Sequence, residues 1–437
     1  MASPKPRRAG RTAALAVTLL ISSITSLAAI TTPAGAAGTT SSTTTLASSA
    51  PTGSTLAAAV TYTASIAPTS GSGVTPTGTV SFTDNGTAIA GCTSVALVAG
   101  ASPDATAQCT PASSAMSAGS HPVVASYAGD PTYATSTSPT LTQTVSTATS
   151  STAITSSPSS PSPYGVAVTY TATVTAGGGV TAFTPTGTVS FSDGASVLCP
   201  SAPLSAVSAG VAHATCTEPA ASMTIGTHPI TSTYSADSNF TAGANGSLGQ
   251  VVVLDSTATV LGSAPASPST LGAAVTYTAT ITAGNGVTAN PTGTVTFKDG
   301  ATTLCTPTAT TTATPGVVIA TCTEPGSSMT GGTHPITATY AGDANFASSN
   351  TNLTQTVTTA TTATVVTTSA NNSPVGQTVT YTATVTSPSS AFTITGPVAF
   401  KDGGTAITGC SAVTVTHVQP STAQPRAVGG LQSTGCP

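Results

Sequence analysis

The chain has very little charge, few aromatic residues and no tryptophan. Charged residues make up 4% of its 437 residues, and aromatic residues another 4%. Beyond the N-terminal region no apolar run is long enough to cross a bilayer, which argues against a membrane protein. In place of charge the chain has threonine and serine interleaved with valine, alanine and isoleucine, and threonine and valine favour pleated, half-buried strands. The composition therefore predicts an all-β protein rather than a disordered one.

Residues 1–36 have the pattern of an export signal peptide. Four basic residues begin it, an apolar stretch spans 12–30, and Ala34-Gly35-Ala36 is a small-residue cleavage site. The apolar stretch is longer than usual, so an uncleaved membrane anchor is the alternative. Cleavage would leave three basic residues against eleven acidic ones, a net charge of −8. No basic patch survives, so the sequence predicts no nucleic-acid partner and no membrane contact beyond the export signal.

An internal repeat of about a hundred residues runs through the rest of the chain. The segment 76–82 returns as 185–191 and 291–297, and in altered form as 394–400. Three further markers keep the same order: Val-Thr-Tyr-Thr-Ala, Gly-(Ser/Thr)-His-Pro and a closing Leu-x-Gln-x-Val. Such repetition indicates separate modules. We therefore divide the chain into the signal peptide 1–36, repeat 1 (37–146), repeat 2 (147–253), repeat 3 (254–358) and a partial repeat 4 (359–437).

Within each repeat, apolar and polar residues alternate with a period of two. Val275, Tyr277, Ala279 and Ile281 share one side of a strand, and the threonines between them share the other. Asp-Gly and Gly-Asp turn signals separate several such strands, which indicates a two-sheet sandwich. The predicted fold class is all-β: tandem β-sandwich domains, three complete and one partial, after the signal peptide.

The linked motifs resemble those of the bacterial immunoglobulin-like (Big) repeat. They are Pro-Thr-Gly-Thr-Val-(Ser/Thr)-Phe-x-Asp-Gly, then Ala-Thr-Cys-Thr, then Gly-Thr-His-Pro-Ile-Thr-(Ala/Ser)-Thr-Tyr-x-(Gly/Ala)-Asp-x-Asn-Phe. The resemblance covers nearly all of the chain after residue 36. It implies a seven-stranded Ig-like sandwich in extracellular, often cell-surface, proteins with spacing or adhesive roles and without a conserved catalytic site.

The eight cysteines fall two to a repeat, which favours pairing within each repeat. The first three pairs share a separation of 17 residues: Cys92/Cys109, Cys199/Cys216 and Cys305/Cys322. In an exported protein this predicts one disulfide per repeat between neighbouring strands. A redox or zinc site is the alternative, but it lacks CxxC spacing and nearby histidine ligands. Cys410 and Cys436 are the corresponding pair of repeat 4, and their pairing is left open.

Repeat 4 departs from the pattern after Cys410. It lacks the Ala-Thr-Cys-Thr, Gly-x-His-Pro and Leu-x-Gln markers. Half a sandwich leaves a core uncovered and a strand edge unpaired. We therefore expect part of 359–437, its tail above all, to be unstable or disordered, and a truncated or frame-shifted reading frame would explain it.

The recurrent histidines and acids have a structural and a functional interpretation. His121, His228 and His334 each precede a predicted strand, and we predict that they are corner residues bonding the backbone. The recurrent aspartates lie in turns, where aspartate bonds its own backbone: Asp84, Asp193, Asp299 and Asp402 in one turn, Asp130, Asp237 and Asp343 in another. Calcium at domain junctions is the alternative, although these sites offer few of its usual six to eight oxygen ligands.

These observations predict a secreted or cell-surface, non-enzymatic and monomeric spacer without catalytic residues, metal or cofactor. No Gly-x-Ser-x-Gly elbow supports a hydrolase. The alternatives are an adhesin that binds carbohydrate or an extracellular protein through sandwich-end loops, and an accessory region of a truncated extracellular enzyme. Few loop aromatics are available to a ligand: Tyr133, Phe183, Phe240, Phe346 and Phe392. The Ser/Thr/Pro-rich stretches 155–163 and 264–270 are interpreted as linkers, with sugar attachment as the alternative.

Overall fold

In the computed structural model, nearly all of the regular secondary structure is β-strand, which confirms the predicted fold class. It describes residues 38–70, 73–387, 393–417 and 430–433, and the predicted signal peptide lies outside them. Within those ranges the one helical element is the 3-10 turn Gly177–Gly179. The chain forms two compact units, the first containing most of repeat 1 and the second containing repeats 2 to 4.

Repeat 1 is a sandwich of two sheets. Its strands are β1 (Ser42–Ser48), β2 (Ser54–Thr55), β3 (Tyr62–Pro68), β4 (Thr79–Asp84), β5 (Thr87–Ala88), β6 (Val95–Ala96), β7 (Val98–Ala99), β8 (Ala105–Cys109), β9 (Gly119–Tyr127), β10 (Ser136–Thr137) and β11 (Leu141–Ser146). One sheet has the order β1-β3-β8-β7. The other has the order β2-β11-β9-β4-β5, with β10 on β9 and β6 on β4.

Repeats 2 and 3 have the same arrangement. Repeat 2 contains β12 (Ala148–Ser157), β13 (Ser162–Pro163), β14 (Val168–Ala176), β15 (Thr188–Asp193), β16 (Ser196–Pro203), β17 (Ser205–Ser208), β18 (Val211–Glu218), β19 (Gly226–Tyr234), β20 (Phe240–Thr241) and β21 (Gly246–Val253). Its sheets are β17-β18-β14-β12-β20 and β13-β21-β19-β15-β16. Repeat 3 contains β22 (Thr257–Ala264), β23 (Ser269–Thr270), β24 (Val275–Ala283), β25 (Val295–Asp299), β26 (Thr302–Cys305), β27 (Thr310–Thr311), β28 (Val317–Glu324), β29 (Gly332–Tyr340) and β30 (Ser349–Thr358). Its sheets are β22-β24-β28-β27 and β23-β30-β29-β25-β26.

The alternation of apolar residues and threonine places one face of each central strand in the core. In β24 the apolar residues are buried and the threonines between them are partly or fully exposed. The opposite sheet contributes Phe297, Ile336 and Tyr340 to the same core. Each large side chain buried in this way contributes about 1.5–3 kcal/mol to the free energy of unfolding.

Each Ser/Thr/Pro-rich stretch connects two strands of one repeat and crosses from one sheet to the other. In repeat 2 the stretch runs between β12 in one sheet and β13 in the other. The amide of Val251 donates to Ser160 Oγ at 2.9 Å, and Gln250 Nε2 donates to the buried Ser162 Oγ at 3.0 Å. Ser267 and Ser269 make the same bonds in repeat 3. The glutamine of the closing Leu-x-Gln marker is therefore the internal partner of this crossing.

Among its described residues, repeat 4 has fewer and mostly shorter strands than the complete repeats. They are β31 (Ala363–Thr368), β32 (Tyr381–Thr386), β33 (Pro397–Val398), β34 (Lys401–Asp402), β35 (Thr405–Ala406), β36 (Val413–Thr414), β37 (Thr416–His417) and β38 (Gly430–Ser433). They form one sheet, β31-β32-β38-β37, and the pairs β33-β36 and β34-β35. Strand β38 was not predicted from the sequence. The expectation of disorder falls partly on 388–392, 418–429 and 434–437, which lie outside the described residues.

Candidate functional site

A histidine–aspartate pair recurs at the same end of each complete repeat. The aspartate is the last residue of β4, β15 or β25, and the histidine is the third residue of the neighbouring β9, β19 or β29. Nδ1 lies 2.7 Å from Oδ2 in His121–Asp84, 2.7 Å in His228–Asp193 and 2.6 Å in His334–Asp299. Asp299 lies opposite Ile336 in the antiparallel register, so the histidine two residues earlier is on the same face and reaches the carboxylate.

The second imidazole nitrogen is also engaged in repeats 2 and 3. Nε2 of His228 lies 2.9 Å from the carbonyl oxygen of Thr224, and Nε2 of His334 lies 2.9 Å from that of Thr330. Both partners of each ring are acceptors, so both nitrogens donate, which only the protonated imidazolium can do. Burial lowers the pKa of each histidine, but the bonds to the carbonyl and the carboxylate outweigh it and the pKa is raised.

This arrangement does not suit general-base catalysis. A histidine base needs an unprotonated nitrogen within reach of the proton that it removes. In His228 and His334 the nitrogen opposite the aspartate is bonded to a backbone carbonyl, so no lone pair points outwards. The corner role proposed for the three histidines stays a prediction, with these contacts as its structural basis.

Glu324 adds a buried carboxyl group to this end of repeat 3. The residue is 6% exposed, and its Oε2 has no hydrogen-bond partner among the residues that the structure describes. Burial, and after it the negative charge of Asp299, raises the pKa of Glu324. Glu218, at the same position of repeat 2, is only half-buried, so the repeated sequence does not distinguish the two environments.

The other recurrent aspartates, Asp130, Asp237 and Asp343, are hydrogen-bonded within the turn before the last long strand of each complete repeat. Oδ2 of Asp343 accepts from the amide of Thr292 at 2.7 Å and from its hydroxyl at 2.6 Å. Oδ1 accepts from the amides of Asn345 and Phe346, both at 2.8 Å. The same four bonds occur at Asp130 and Asp237.

These bonds explain why the carboxylates stay charged. Burial raises the pKa of Asp130, but the bonds from Thr77, Tyr133 and Thr132 outweigh it and lower that pKa to about 2. The pKa values of Asp237 and Asp343 are lowered for the same reason. The sequence predicted the local backbone bonds but missed the distant threonine, although that threonine belongs to the repeated Pro-Thr-Gly motif.

Three disulfides connect the two sheets. Cys199 on β16 is bonded to Cys216 on β18, and Cys305 on β26 to Cys322 on β28. In both cases the two strands belong to opposite sheets, so the prediction that each disulfide joins neighbouring strands was wrong, although the predicted cysteine pairs are the bonded ones. Repeat 1 has the corresponding bond Cys92–Cys109. In repeat 4, Cys410 is fully buried, and Cys436 lies outside the described residues.

The aromatic residues of the sandwich-end loops are mostly buried. Tyr133 and Phe240 are 0% exposed, and Phe346 is 2% exposed. Phe183 is half-buried, and Phe392 lies outside the described residues. Aromatic rings that fill a core are not available to a carbohydrate or a protein ligand.

One of these rings also takes part in the joint between repeats 2 and 3. Tyr164, which follows β13, packs edge-to-face on Phe346 of repeat 3 with 5.8 Å between ring centroids. Gly165 lies so close to Val287 of repeat 3 that an added Cβ would come within 2.4 Å of its Cγ1. Leu271 is the equivalent of Tyr164 in repeat 3, and it lines a cavity of about 170 Å³ with Thr359, Ser387 and Ile394 of repeat 4.

No three histidine, cysteine, aspartate or glutamate side chains of the described ranges are grouped so that they could hold a metal ion. Within the same ranges, no helix has the length and apolar character needed to span a membrane.

Several solved structures resemble parts of the chain. The adhesin FdeC of Escherichia coli is 17% identical over 72% of this chain and 96% of its own, with a TM-score of 0.24. The ectodomain of mouse nectin-like molecule 4 is 11% identical over 70% and 96%, with a TM-score of 0.25. The fibronectin(III)-like modules of Clostridium thermocellum CbhA are 16% identical over 47% and 94%, with a TM-score of 0.19. Likenesses this low carry no argument about function.

Comparison with curated proteins and with family models gives different results. None of the curated proteins matches the chain. A family model does match, and it matches three times: the bacterial Ig-like domain (group 3) aligns with residues 46–146, 154–254 and 261–358. These matches cover most of the chain and carry the motifs, sheets and disulfides described above. The chain therefore belongs to the bacterial Ig-like domain (group 3) family.

Proposed function

We propose that this chain is an extracellular spacer whose tandem Ig-like sandwiches separate whatever lies at its two ends, without a catalytic role. The observation that carries the proposal is that the recurrent histidines and aspartates are bonded to groups of their own repeat. Each complete repeat bonds its histidine to one aspartate, and bonds a second aspartate to a threonine and a turn of the same repeat. These groups are engaged in maintaining the fold, which leaves them unsuited to bind or transform a ligand.

Two features support an extracellular location. The three disulfides belong to the chemistry of oxidising compartments, where such bonds persist. The basic and apolar pattern of residues 1–36 is typical of an export signal. Both agree with the bacterial Ig-like family, whose resemblance implies extracellular proteins.

Two further features favour spacing over adhesion. Tyr164 packs on Phe346 between repeats 2 and 3, and such a contact limits the freedom of neighbouring repeats to bend. The loop aromatics Tyr133, Phe240 and Phe346 are buried, so the loops lack the exposed rings that binding sites commonly use. Adhesion to carbohydrate or to an extracellular protein is therefore the outcome that the test must distinguish.

Two measurements test the proposal. The full chain, applied to arrays of glycans and extracellular-matrix proteins, should give no saturable binding, and a reproducible saturable signal would favour an adhesin. A variant with repeat 2 duplicated should show a maximum dimension in small-angle X-ray scattering that is longer by roughly 40 Å, because ten-residue strands rise about 3.3 Å per residue and loops add the rest. An unchanged maximum dimension would contradict the spacer.

A further inference from the structure

A serine and a glutamine meet at the same place in repeats 2 and 3. The serine is the first residue of the short strand β13 or β23, and the glutamine lies in the last strand, β21 or β30, which runs parallel beside it. Gln250 Nε2 lies 3.0 Å from Ser162 Oγ, and Gln355 Nε2 lies 3.1 Å from Ser269 Oγ. A hydroxyl oxygen, which is a nucleophile, is thus held beside a carboxamide, which is an electrophile.

Both partners of each contact are shielded from water. Gln250 and Gln355 are 0% exposed, Ser162 is 1% exposed and Ser269 is 4% exposed. Exclusion of water protects a bond that water would otherwise hydrolyse. An ester formed between these side chains would therefore persist in the folded repeat.

The carbonyl oxygen of each glutamine is left unsatisfied. Oε1 of Gln250 and Oε1 of Gln355 are buried and have no hydrogen-bond partner among the described residues. A buried amide oxygen without a partner destabilises the fold, because it has lost its water and gained no donor. An ester has no N–H groups, and its carbonyl is a weaker acceptor than that of an amide. Conversion of the amide to an ester would therefore reduce this cost.

A positive charge lies across the strand from each glutamine. His228 is directly opposite Gln250 in the antiparallel register, and His334 is directly opposite Gln355, so each pair of side chains shares one face of the sheet. Both nitrogens of each ring are bonded to acceptors, as in an imidazolium ion. Attack on a carboxamide develops negative charge on its oxygen, and a neighbouring cation stabilises that charge.

We propose that Ser162 and Gln250, and likewise Ser269 and Gln355, form an ester within the folded chain. The serine Oγ forms a bond to the glutamine Cδ, the Cδ–Nε2 bond breaks, and the hydroxyl proton passes to Nε2, which leaves as ammonia. No oxidant, reductant or further reactant is needed, and the distances above describe the two side chains before reaction. The reaction occurs once in each repeat, without turnover, and the inference does not depend on the proposed spacer function.

The ester would join the beginning of a repeat to its end. In repeat 2, β13 follows the first strand and β21 is the last strand, and 88 positions separate the two bonded residues. A force that pulls the ends of the repeat apart could peel β12 away, but it could not separate Ser162 from Gln250 without breaking a covalent bond. The strands between them would stay folded under a load that breaks hydrogen bonds.

Repeat 1 provides a control within the same chain. Gln143 Nε2 lies 3.5 Å from Ser54 Oγ, and Ser54 is only half-buried. Gln143 Oε1 accepts from Ser48 Oγ at 2.7 Å, so its carbonyl oxygen already has a donor. The hydroxyl is further from the amide and less shielded from water here. We therefore expect no ester in repeat 1.

Mass spectrometry of the full chain tests the proposal. After folding, reduction of the disulfides, unfolding and proteolysis, Ser162 and Gln250 should be recovered in one branched peptide, lighter by one ammonia than the two separate peptides together. Repeat 3 should give the corresponding branched peptide, whereas Ser54 and Gln143 should be recovered separately. Alkaline hydrolysis should split the branched peptide and leave glutamate where Gln250 stood, because an ester is cleaved under conditions that an amide cross-link survives.

Variants of repeat 2 identify the reacting groups, with repeat 3 as the reference in each sample. Ser162→Ala should abolish the cross-link of repeat 2 alone, whereas Ser162→Thr keeps a hydroxyl and should retain it. Gln250→Asn keeps the amide but withdraws it by one methylene, and should also abolish the cross-link. Recovery of Ser162 and of an intact Gln250 amide in separate peptides of the unaltered, folded chain would overturn the proposal. So would a cross-link that persists in Ser162→Ala, since it would require another nucleophile.

Discussion

Three carboxylates, those of Asp130, Asp237 and Asp343, each accept four hydrogen bonds. Two of the donors are amides of the adjacent turn, and the other two belong to a threonine more than fifty residues earlier. In a chain with 4% charged residues, such contacts concentrate the electrostatic stabilisation at a few positions. The donors include backbone amides that would otherwise be left without an acceptor. At the residue scale, the polar groups of each repeat connect parts of the sandwich that are distant in sequence.

Replacing one of these carboxylates by its amide should be costly. Asp343→Asn places an NH₂ group where one oxygen accepts two donors, and we expect the free energy of unfolding of repeat 3 to fall by about 2 kcal/mol. Native-state hydrogen exchange of β29 and β30 measures this loss locally. Asp402→Asn is the matched control, because Asp402 is exposed, and it should change stability by less than about 0.5 kcal/mol. Equal effects of the two variants would contradict the assignment.

The histidines make the stability of repeats 2 and 3 depend on pH. The folded pKa of His228 and of His334 is raised above the unfolded value near 6.5. Their contribution to stability is therefore fully present below about pH 6.5 and is lost as the pH rises through the raised folded value. Glu324, whose pKa is also raised, acts in the same direction from about pH 4.5 upwards. Asp130, with its pKa lowered to about 2, acts oppositely: its contribution is lost as the pH falls from 3.8 through that value.

Urea unfolding of the full chain in buffers from about pH 5 to about pH 9 should show this decline. The urea midpoint should fall as the pH rises. His334→Gln should reduce the part of this fall that comes from the unfolding of repeat 3. His213→Gln is the control, because His213 lies half-buried on β18 without an acidic partner among the described residues. A midpoint that rises with pH across this range would refute the assignment of the histidines as bound imidazolium ions.

At the scale of strands and turns, the turn after the short strand β13 does more than reverse the chain. Gly165 has φ +81°, a conformation that side chains other than glycine rarely adopt, and it lies against Val287 of the next repeat. The neighbouring Tyr164 packs on Phe346 in the same joint. Gly376 is the equivalent residue of repeat 4, with φ +89° and nothing within 4 Å of an added Cβ.

This pair of glycines separates backbone strain from loss of the joint. Gly165→Ala and Gly376→Ala should each cost about 1 kcal/mol from the positive φ. Only Gly165→Ala should also push Val287 away, which should speed hydrogen exchange at 284–288 in repeat 3. If both variants leave exchange in the neighbouring repeat unchanged, the contact of Gly165 with Val287 does not stabilise the joint.

At the scale of the whole chain, the repeats differ in how completely they are packed. Repeat 3 has a core of seventeen buried residues and a disulfide between its sheets. In the described part of repeat 4 four hydrophobic residues are buried, Ala383, Val385, Phe400 and Cys410, and Val365, Val366 and Val375 are exposed. Since the buried apolar area provides most of the driving force for folding, the repeats should not unfold as one cooperative unit.

Native-state hydrogen exchange of the full chain should reveal this order. Amides of β32 in repeat 4 should exchange at least tenfold faster than the equivalent amides of β24 in repeat 3, a factor that corresponds to about 1.4 kcal/mol of local stability. Uniform protection along the chain would show that the repeats unfold together, in contradiction to this expectation.

Much of this architecture could be predicted from the sequence. Apolar residues and threonines alternate over Val275–Ala283, and successive side chains of an extended chain point to opposite faces. This pattern alone therefore predicts a strand with one buried face. The recurrence of four linked motifs indicated the number of modules and the Ig-like family, and an equal cysteine spacing in three repeats pointed to the pairs that are bonded.

Other features were decided by the tertiary structure. Thr292 meets Asp343 and Asp299 meets His334 only because the strands that carry them are neighbours in one sheet, and no local pattern specifies that pairing. Burial of Phe346 and Glu324 depends on what the opposite sheet or the preceding repeat places over them. Local sequence determines which way a side chain points along its strand. Contacts between distant segments determine what it meets there, because they form only when the whole sandwich closes.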